Sequence, residues 1–89
     1  MVYLNGTNFS IWKVKMTDML TVKELYEPTF EDTRPSDILE PKWKKMHRQA
    51  CATIRQWVDE NVLTHIEDET NAKVLWGKIE KMFASTSSG

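Results

Sequence analysis

The stretch Trp43-Lys-Lys-Met46-His-Arg-Gln-Ala50-Cys-Ala-Thr-Ile54-Arg-Gln-Trp57 decides the fold. Five of its apolar residues recur at steps of three and four, which is the period of one face of a helix: Trp43, Met46, Ala50, Ile54 and Trp57. At about 100° per residue, these side chains occupy an arc of about 80°. Two tryptophans on a single helical face form a large apolar surface, so other parts of the chain have to cover it. The stretch therefore predicts a central helix inside a helical domain.

Further helical patterns lie on both sides of the central helix and can supply this cover. A first helix is predicted over about Phe9 to Val22, with an extension to Leu25, after the turn signal Asn5-Gly6. A last helix is predicted over Asn71 to Phe83, with Thr70 as its cap. Close apolar residues from Val62 to Ile66 indicate a short helix between the central and the last one.

The three prolines of the chain all fall between the first and the central helix. Because proline lacks an N–H and restricts the residue before it, residues 26–41 are predicted to be a connection. The fold class that follows is all-α, a small helical bundle of three main helices plus one short helix. It covers residues 1–84 as one domain, and residues 85–89 are expected to be a disordered tail or a remnant of an expression vector.

Length and composition indicate one small globular domain. The chain has 89 residues, of which 40% are hydrophobic and 28% are charged. A net charge of -1 creates no strong field that would draw nucleic acid to the whole molecule. The single cysteine excludes an internal disulfide and favours a reducing compartment. No apolar run reaches membrane-spanning length and no signal peptide is recognisable, so we expect no membrane partner.

The residues that could support catalysis are few and far apart. An enzyme needs a nucleophile, a base or a metal held close together. His47 and His65 lie on different predicted helices, and His47 borders the apolar face, which favours a packed structural histidine. Cys51 is expected to be a buried structural thiol rather than a reactive one. We therefore predict no enzymatic activity, no cofactor, no metal site and no small-molecule substrate.

The central helix has a basic side that is a candidate nucleic-acid-binding surface. Lys44, Arg48 and Arg55 fall in a narrow arc roughly 140° from the apolar face. No Asp or Glu occurs between Lys42 and Val58. These cations can contact phosphates, with RNA as a weak partner. The alternative is a solvated outer face that is balanced by acidic residues of the loops.

The first helix has a second apolar stripe, formed by Ile11, Val14 and Val22. It lies on the side opposite the main apolar face of that helix. A helix that is apolar on two sides is usually buried on two sides. Residues 2–4 and 25–30 of the same chain can supply the second cover, or another subunit can. The second alternative makes the three residues candidate interface residues of a homo-oligomer.

Two parts of the sequence together form a recognisable pattern. They are Leu4-Asn-Gly-Thr-Asn8-Phe9-Ser-Ile-Trp12-Lys-Val-Lys-Met16 and then Ala72, Trp76, Ile79 and Phe83. The first part fits an apolar residue, x-Gly-x-Asn-aromatic and x-x-Trp-x-x-x-Met, and the second fits Ala-x-x-x-Trp-x-x-Leu and an aromatic residue, with Ile79 in the place of the Leu. In this order the two parts resemble the Gag protein of copia-type retrotransposons. The resemblance spans about residues 4 to 83 and is greatest to plant members.

The resemblance implies a capsid-like helical module that associates with copies of itself. Gag of this family assembles into cytoplasmic particles that package the RNA of the element. It therefore implies a structural role in assembly and a cytoplasmic location, in a virus-like particle if the element is active, with the nucleus as an alternative. A small helical nucleic-acid-binding module that uses the basic side of the central helix is the alternative function.

Several features of the family do not carry over to this chain. No residues match the protease, integrase or reverse transcriptase that a complete element encodes. The zinc knuckle of the family, with its Cys-x-x-Cys spacing, is also absent. The matching Gag region normally continues past Phe83, so we expect a fragment of a longer Gag or a truncated, domesticated copy.

Overall fold

Five helices make up most of residues 2–83, which are the part of the chain described by the computed structural model. The predicted tail at residues 85–89 lies outside this part. The all-α prediction is confirmed, because the only β structure among the described residues is one isolated bridge. In chain order the helices are α1 (Phe9–Val22), α2 (Tyr26–Phe30), α3 (Glu40–Arg55), α4 (Glu60–Ile66) and α5 (Ala72–Phe83).

The helix α2 was not predicted, so the count of three main helices plus one short helix is wrong by one. The sequence predicts a connection in this region because proline, here Pro28, lacks a backbone N–H and restricts the residue before it. Pro28 is the third residue of α2, where a backbone N–H has no partner inside a helix, so the missing donor costs little. Pro28 and Thr29 are buried, and the Thr29 hydroxyl donates to the Leu25 carbonyl over 3.1 Å. The burial of these two residues packs the short helix against the core, and the local hydrogen bond satisfies the Thr29 hydroxyl.

The end of α1 is fixed by a backbone motif that redirects the chain. Glu24 has φ 60°, in the left-handed region. Its N–H donates to the Thr21 carbonyl over 3.0 Å, and the Leu25 N–H donates to the Leu20 carbonyl over 2.7 Å. This is a Schellman motif, which satisfies carbonyls that a helix end leaves open. Leu20 and Leu25 are both buried, so the motif turns the chain back towards the core where α2 begins.

The two later helices begin at side-chain caps. Asp59 accepts a hydrogen bond from the Val62 N–H over 2.9 Å at the start of α4. Asn71 accepts one from the Val74 N–H over 3.0 Å at the start of α5. The prediction of Thr70 as the cap of the last helix is therefore wrong by one residue. Asn71 is the residue outside the helix whose side-chain oxygen can reach a free N–H of the first turn.

Trp12 and Trp76 form the centre of the core. Their ring centroids are 5.7 Å apart with planes 21° apart, and Trp12 is 0% exposed. Phe30 meets Trp76 edge-on at 4.9 Å. The two tryptophans of the central stretch, Trp43 and Trp57, contribute less to the core than the sequence predicts, because both are only half-buried. The buried apolar residues of α3 are Met46, Ala50, Cys51 and Ile54.

The backbone carbonyl of Trp57 joins three parts of the chain. It accepts hydrogen bonds from the Leu4 N–H and from Nε1–H of Trp12, each over 2.8 Å. The Asp59 N–H donates to the Leu4 carbonyl over 3.0 Å, so Leu4 pairs with Val58 in a parallel bridge. The N-terminal arm is thereby fixed across the junction between α3 and α4, and α1 is tied to the same point.

We expect Trp12→Ala to lower the free energy of unfolding by about 3–5 kcal/mol, because it removes a buried indole and leaves a cavity. Trp43→Ala is the matched control. It should be clearly less damaging, because the side chain of Trp43 is half-buried. Urea denaturation followed by circular dichroism measures both changes. Equal losses in the two variants would contradict this description of the core.

Candidate functional site

His47 links α3 to the start of α5. Its Nδ1 accepts a hydrogen bond from the Ala72 N–H over 3.0 Å, and its ring meets Trp43 edge-on at 5.1 Å. Ala72 is the first residue of α5, where the N–H has no partner inside the helix. Burial lowers the pKa of His47, which favours the neutral ring that can accept this bond. The prediction of a packed structural histidine is confirmed.

Cys51 is a buried thiol, as predicted. It is 1% exposed on the inner side of α3. Burial raises the pKa of Cys51 to about 11, and the nearby Arg55 guanidinium opposes this rise only in part. A thiol with so high a pKa remains protonated near neutral pH, and the protonated form is a poor nucleophile. The chemistry of this residue is therefore that of a small apolar side chain.

A groove lies between the α1–α2 junction and α3. Its volume is about 730 Å³. Leu25, Ile38 and Met46 are among its apolar lining residues, and charged side chains of both signs stand around them. Neither a histidine nor a cysteine lines it. Within residues 2–83, moreover, no three His, Cys, Asp or Glu side chains are grouped so that they could hold a metal ion.

The three residues predicted to bind nucleic acid differ in their exposure and in their contacts. Lys44 is exposed and lies 3.8 Å from Glu40 of the same helix. Arg48 is exposed as well. Arg55 is half-buried, and its guanidinium donates to the Glu69 carbonyl over 3.1 Å, which ties α3 to the loop before α5. The exposed basic surface is therefore centred on Lys44 and Arg48, while Arg55 makes a contact inside the chain.

The second stripe of α1 is not covered by the described part of the chain. The side chains of Ile11, Val14 and Val22 are 55%, 60% and 82% exposed. Of the two segments that could provide cover, the N-terminal arm is held at Val58 instead, and α2 packs mainly against α3 and α5. Cover within residues 2–83 is thus excluded for this stripe. The alternative, contact with another subunit, stays a prediction.

Two charged residues complete the exposed side of α1. Lys15 and Asp18 lie between the apolar residues of the stripe and are both exposed. Neither forms an ion pair within residues 2–83. Lys13, on the flank of the helix, behaves differently, because its ammonium pairs with Glu80 of α5 over 3.1 Å. The charge on the flank therefore contacts α5, whereas the charges on the outer side face solvent.

These observations define a class of protein: a small all-α domain whose polar core residues are structural and whose first helix presents an uncovered apolar stripe. None of the helices within residues 2–83 is long and apolar enough to cross a membrane. No protein-family model matches the chain. No solved structure matches it either.

One known protein is similar in sequence to most of this chain. The chain is 29% identical over 83 residues to the retrovirus-related Pol polyprotein from transposon TNT 1-94 of Nicotiana tabacum. The match covers 91% of this chain and 6% of the polyprotein, so the chain spans a small part of the relative's length. The similarity supports a retrotransposon-related protein.

The contact between His47 and Ala72 predicts a dependence of stability on pH. The pKa of His47 in the folded protein lies below its ordinary value of 6.5, so the unfolded chain binds the proton first as the pH falls. Stability should therefore be greatest above pH 6.5 and should decrease as the pH falls from 6.5 towards the lowered value. Thermal melting at a series of pH values from above 6.5 downwards measures the decrease.

The control for this prediction is His47→Gln, which removes the titrating ring but keeps a side chain that can accept a hydrogen bond. Its melting temperature should change less over the same pH interval. A wild-type curve that is flat there, or a variant curve with the same slope as the wild type, would mean that His47 does not link α3 and α5 in solution.

Proposed function

We propose that this domain is the N-terminal, capsid-like region of a copia-type Gag protein and that its function is self-association through protein–protein contacts. The similarity to a retrotransposon polyprotein supports the setting. The resemblance of residues 4–83 to the Gag pattern supports the particular region. The observation that carries the proposal is the uncovered stripe of Ile11, Val14 and Val22 on α1.

The exposure of this stripe is informative because the opposite side of the same helix is completely buried. Trp12, Met16 and Leu20, on the inner side of the same helix, are each 0% exposed. Burying a valine or isoleucine side chain is worth about 1.5–3 kcal/mol relative to leaving it in water. Contact between two such stripes would recover part of this energy, after the costs of association.

The size of the surface suggests a weak contact between individual subunits. The helix α1 has 14 residues and is about 21 Å long. One face of such a helix is small compared with the about 800 Å² per partner that is typical of stable complexes. Weak individual contacts suit a particle, in which many copies are held together at once and their affinities combine. In this proposal, assembly requires neither a cofactor nor catalysis by this domain, and it takes place in the cytoplasm.

The second candidate function is RNA binding by the exposed cations of α3. Lys44, Lys45 and Arg48 are exposed, which favours it. Arg55 is half-buried and one of its N–H groups donates to the Glu69 carbonyl, so it is less available to phosphates than the sequence indicated. A surface of two or three cations should give weak binding with a shallow dependence on salt. Packaging of RNA by a whole Gag would then need basic residues elsewhere in the protein.

We expect the double variant Ile11→Asp, Val14→Asp to lose self-association and to keep its fold, because both side chains are exposed in the subunit. Sedimentation velocity over a series of protein concentrations measures association, and thermal melting measures folding. The matched control is Leu39→Asp, Val74→Asp, which places the same charges on exposed apolar positions of 73% and 48% exposure outside α1. The control should associate as the wild type does.

Two results would overturn the proposal. One is a wild-type domain that stays monomeric at the highest soluble concentration. The other is equal weakening by both double variants, which would show a general effect of charge. The nucleic-acid alternative is tested by the salt dependence of binding to single-stranded RNA. We expect a shallow slope that becomes shallower in Lys44→Gln, Arg48→Gln, and a steep slope would favour RNA binding as the main function.

A further inference from the structure

The exposed side of α1 has the residue spacing of a coiled-coil seam. Ile11, Lys15, Asp18 and Val22 follow one another at steps of four, three and four, and all four are exposed. At about 100° per residue they lie within an arc of about 60°. This spacing is that of the a and d positions, which face the partner helix in a coiled coil. The seam is apolar at both ends and carries one cation and one anion in the middle.

We propose that two copies of this chain pair through the seam with their α1 helices antiparallel, related by a two-fold axis that passes between Met16 and Thr17. The inference rests on the self-association proposed above and names its geometry. In this register Ile11 faces Val22 of the partner subunit, and Lys15 faces Asp18 of the partner subunit. The two-fold axis repeats both contacts, so the pair has apolar contacts at its ends and two ion pairs at its centre.

The charges select the antiparallel direction. In a parallel pair, residues of the same number face each other, which would place Lys15 against a second Lys15 and Asp18 against a second Asp18. Like charges that meet across an interface repel each other and disfavour that arrangement. The antiparallel arrangement changes both repulsions into attractions without any change of sequence. It also sets the two helix dipoles in opposite directions, which is the favourable arrangement.

The same charges indicate that the occupant of the seam is a second copy of this chain. The seam is complementary to itself, since each half supplies what the other half needs: an apolar side chain for an apolar one and an anion for a cation. Lys15 and Asp18 form no ion pair within residues 2–83, so both remain available to a partner. Val14 and the half-buried Met19 lie beside the seam, where they would shield the charged centre from water.

Charge reversal tests the register directly. Lys15→Asp and Asp18→Lys, each alone, would replace both ion pairs by like-charge contacts, and each should weaken the self-association constant by about tenfold or more. The double variant Lys15→Asp, Asp18→Lys should associate as the wild type does. An equimolar mixture of the two single variants should also associate, because opposite charges then face each other. Sedimentation gives the constants, and thermal melting confirms that each exposed substitution leaves the fold intact.

Disulfide trapping measures the direction of the helices independently. We expect a mixture of Lys15→Cys and Asp18→Cys subunits to form a mixed disulfide dimer on mild oxidation, in preference to a dimer of two Lys15→Cys subunits. The native thiol does not interfere, because Cys51 is buried. Preference for the Lys15→Cys dimer, or a wild-type association that single charge reversals do not weaken, would overturn the antiparallel seam while leaving the proposed self-association in place. A monomeric wild type would overturn both.

Discussion

The hydrogen bond from the indole N–H of Trp12 to the Trp57 carbonyl is the constraint on which the arrangement of the helices depends. A buried indole N–H has to be satisfied, and few acceptors are free in the core of a helical domain. The Trp57 carbonyl is available because α3 ends at Arg55, two residues earlier. Since Trp12 also stacks on Trp76, the bond fixes the rotation of α1 about its own axis. The opposite side of α1 must then face solvent.

That rotation connects the core to the proposed function. With Trp12 pointing inwards, the helical period places Ile11 and Val14 on the outside, where no described part of the chain covers them. The ion pair of Lys13 with Glu80 stabilises the same rotation from the flank. As an ion pair between partly exposed groups it contributes little energy, so the buried tryptophans carry most of the constraint. The apolar stripe on the surface is therefore a consequence of how the core is built.

The helical period was sufficient to predict most of this fold. It predicted α1 over Phe9–Val22, but the predicted extension to Leu25 is wrong, because the chain leaves the helix at the left-handed Glu24. It predicted α3, α4 and α5 to within a few residues. Helix α2 has five residues, too few to show a period, and its proline pointed to a connection. The left-handed Glu24 could not be foreseen, because the residue expected at such a position is glycine. Trp57 was assigned to the central helix because its spacing fits, although α3 ends before it.

The candidate site residues show the same limit more clearly. The positions of His47 and Cys51 at the border of the apolar face indicated structural roles, but the Ala72 N–H that His47 accepts comes from a helix 25 residues away in sequence. Arg55 belongs to the basic arc of an isolated helix, and only the packed chain brings the Glu69 carbonyl to it. Likewise, the sequence identified the stripe on α1 without deciding what covers it. Each of these questions concerns contacts between distant segments, which local patterns do not contain.

The most direct test of the account is a series of two-dimensional nitrogen–proton NMR spectra recorded at increasing concentration. The account predicts that the backbone amide signals of Ile11, Lys15, Asp18 and Val22 shift progressively. The indole signals of Trp12 and Trp76 should stay in place, because they report on the inner side of α1 and on the core. Shifts confined to α3, or movement of the Trp12 indole signal together with the whole spectrum, would contradict the separation of a rigid inner side from an associating outer side.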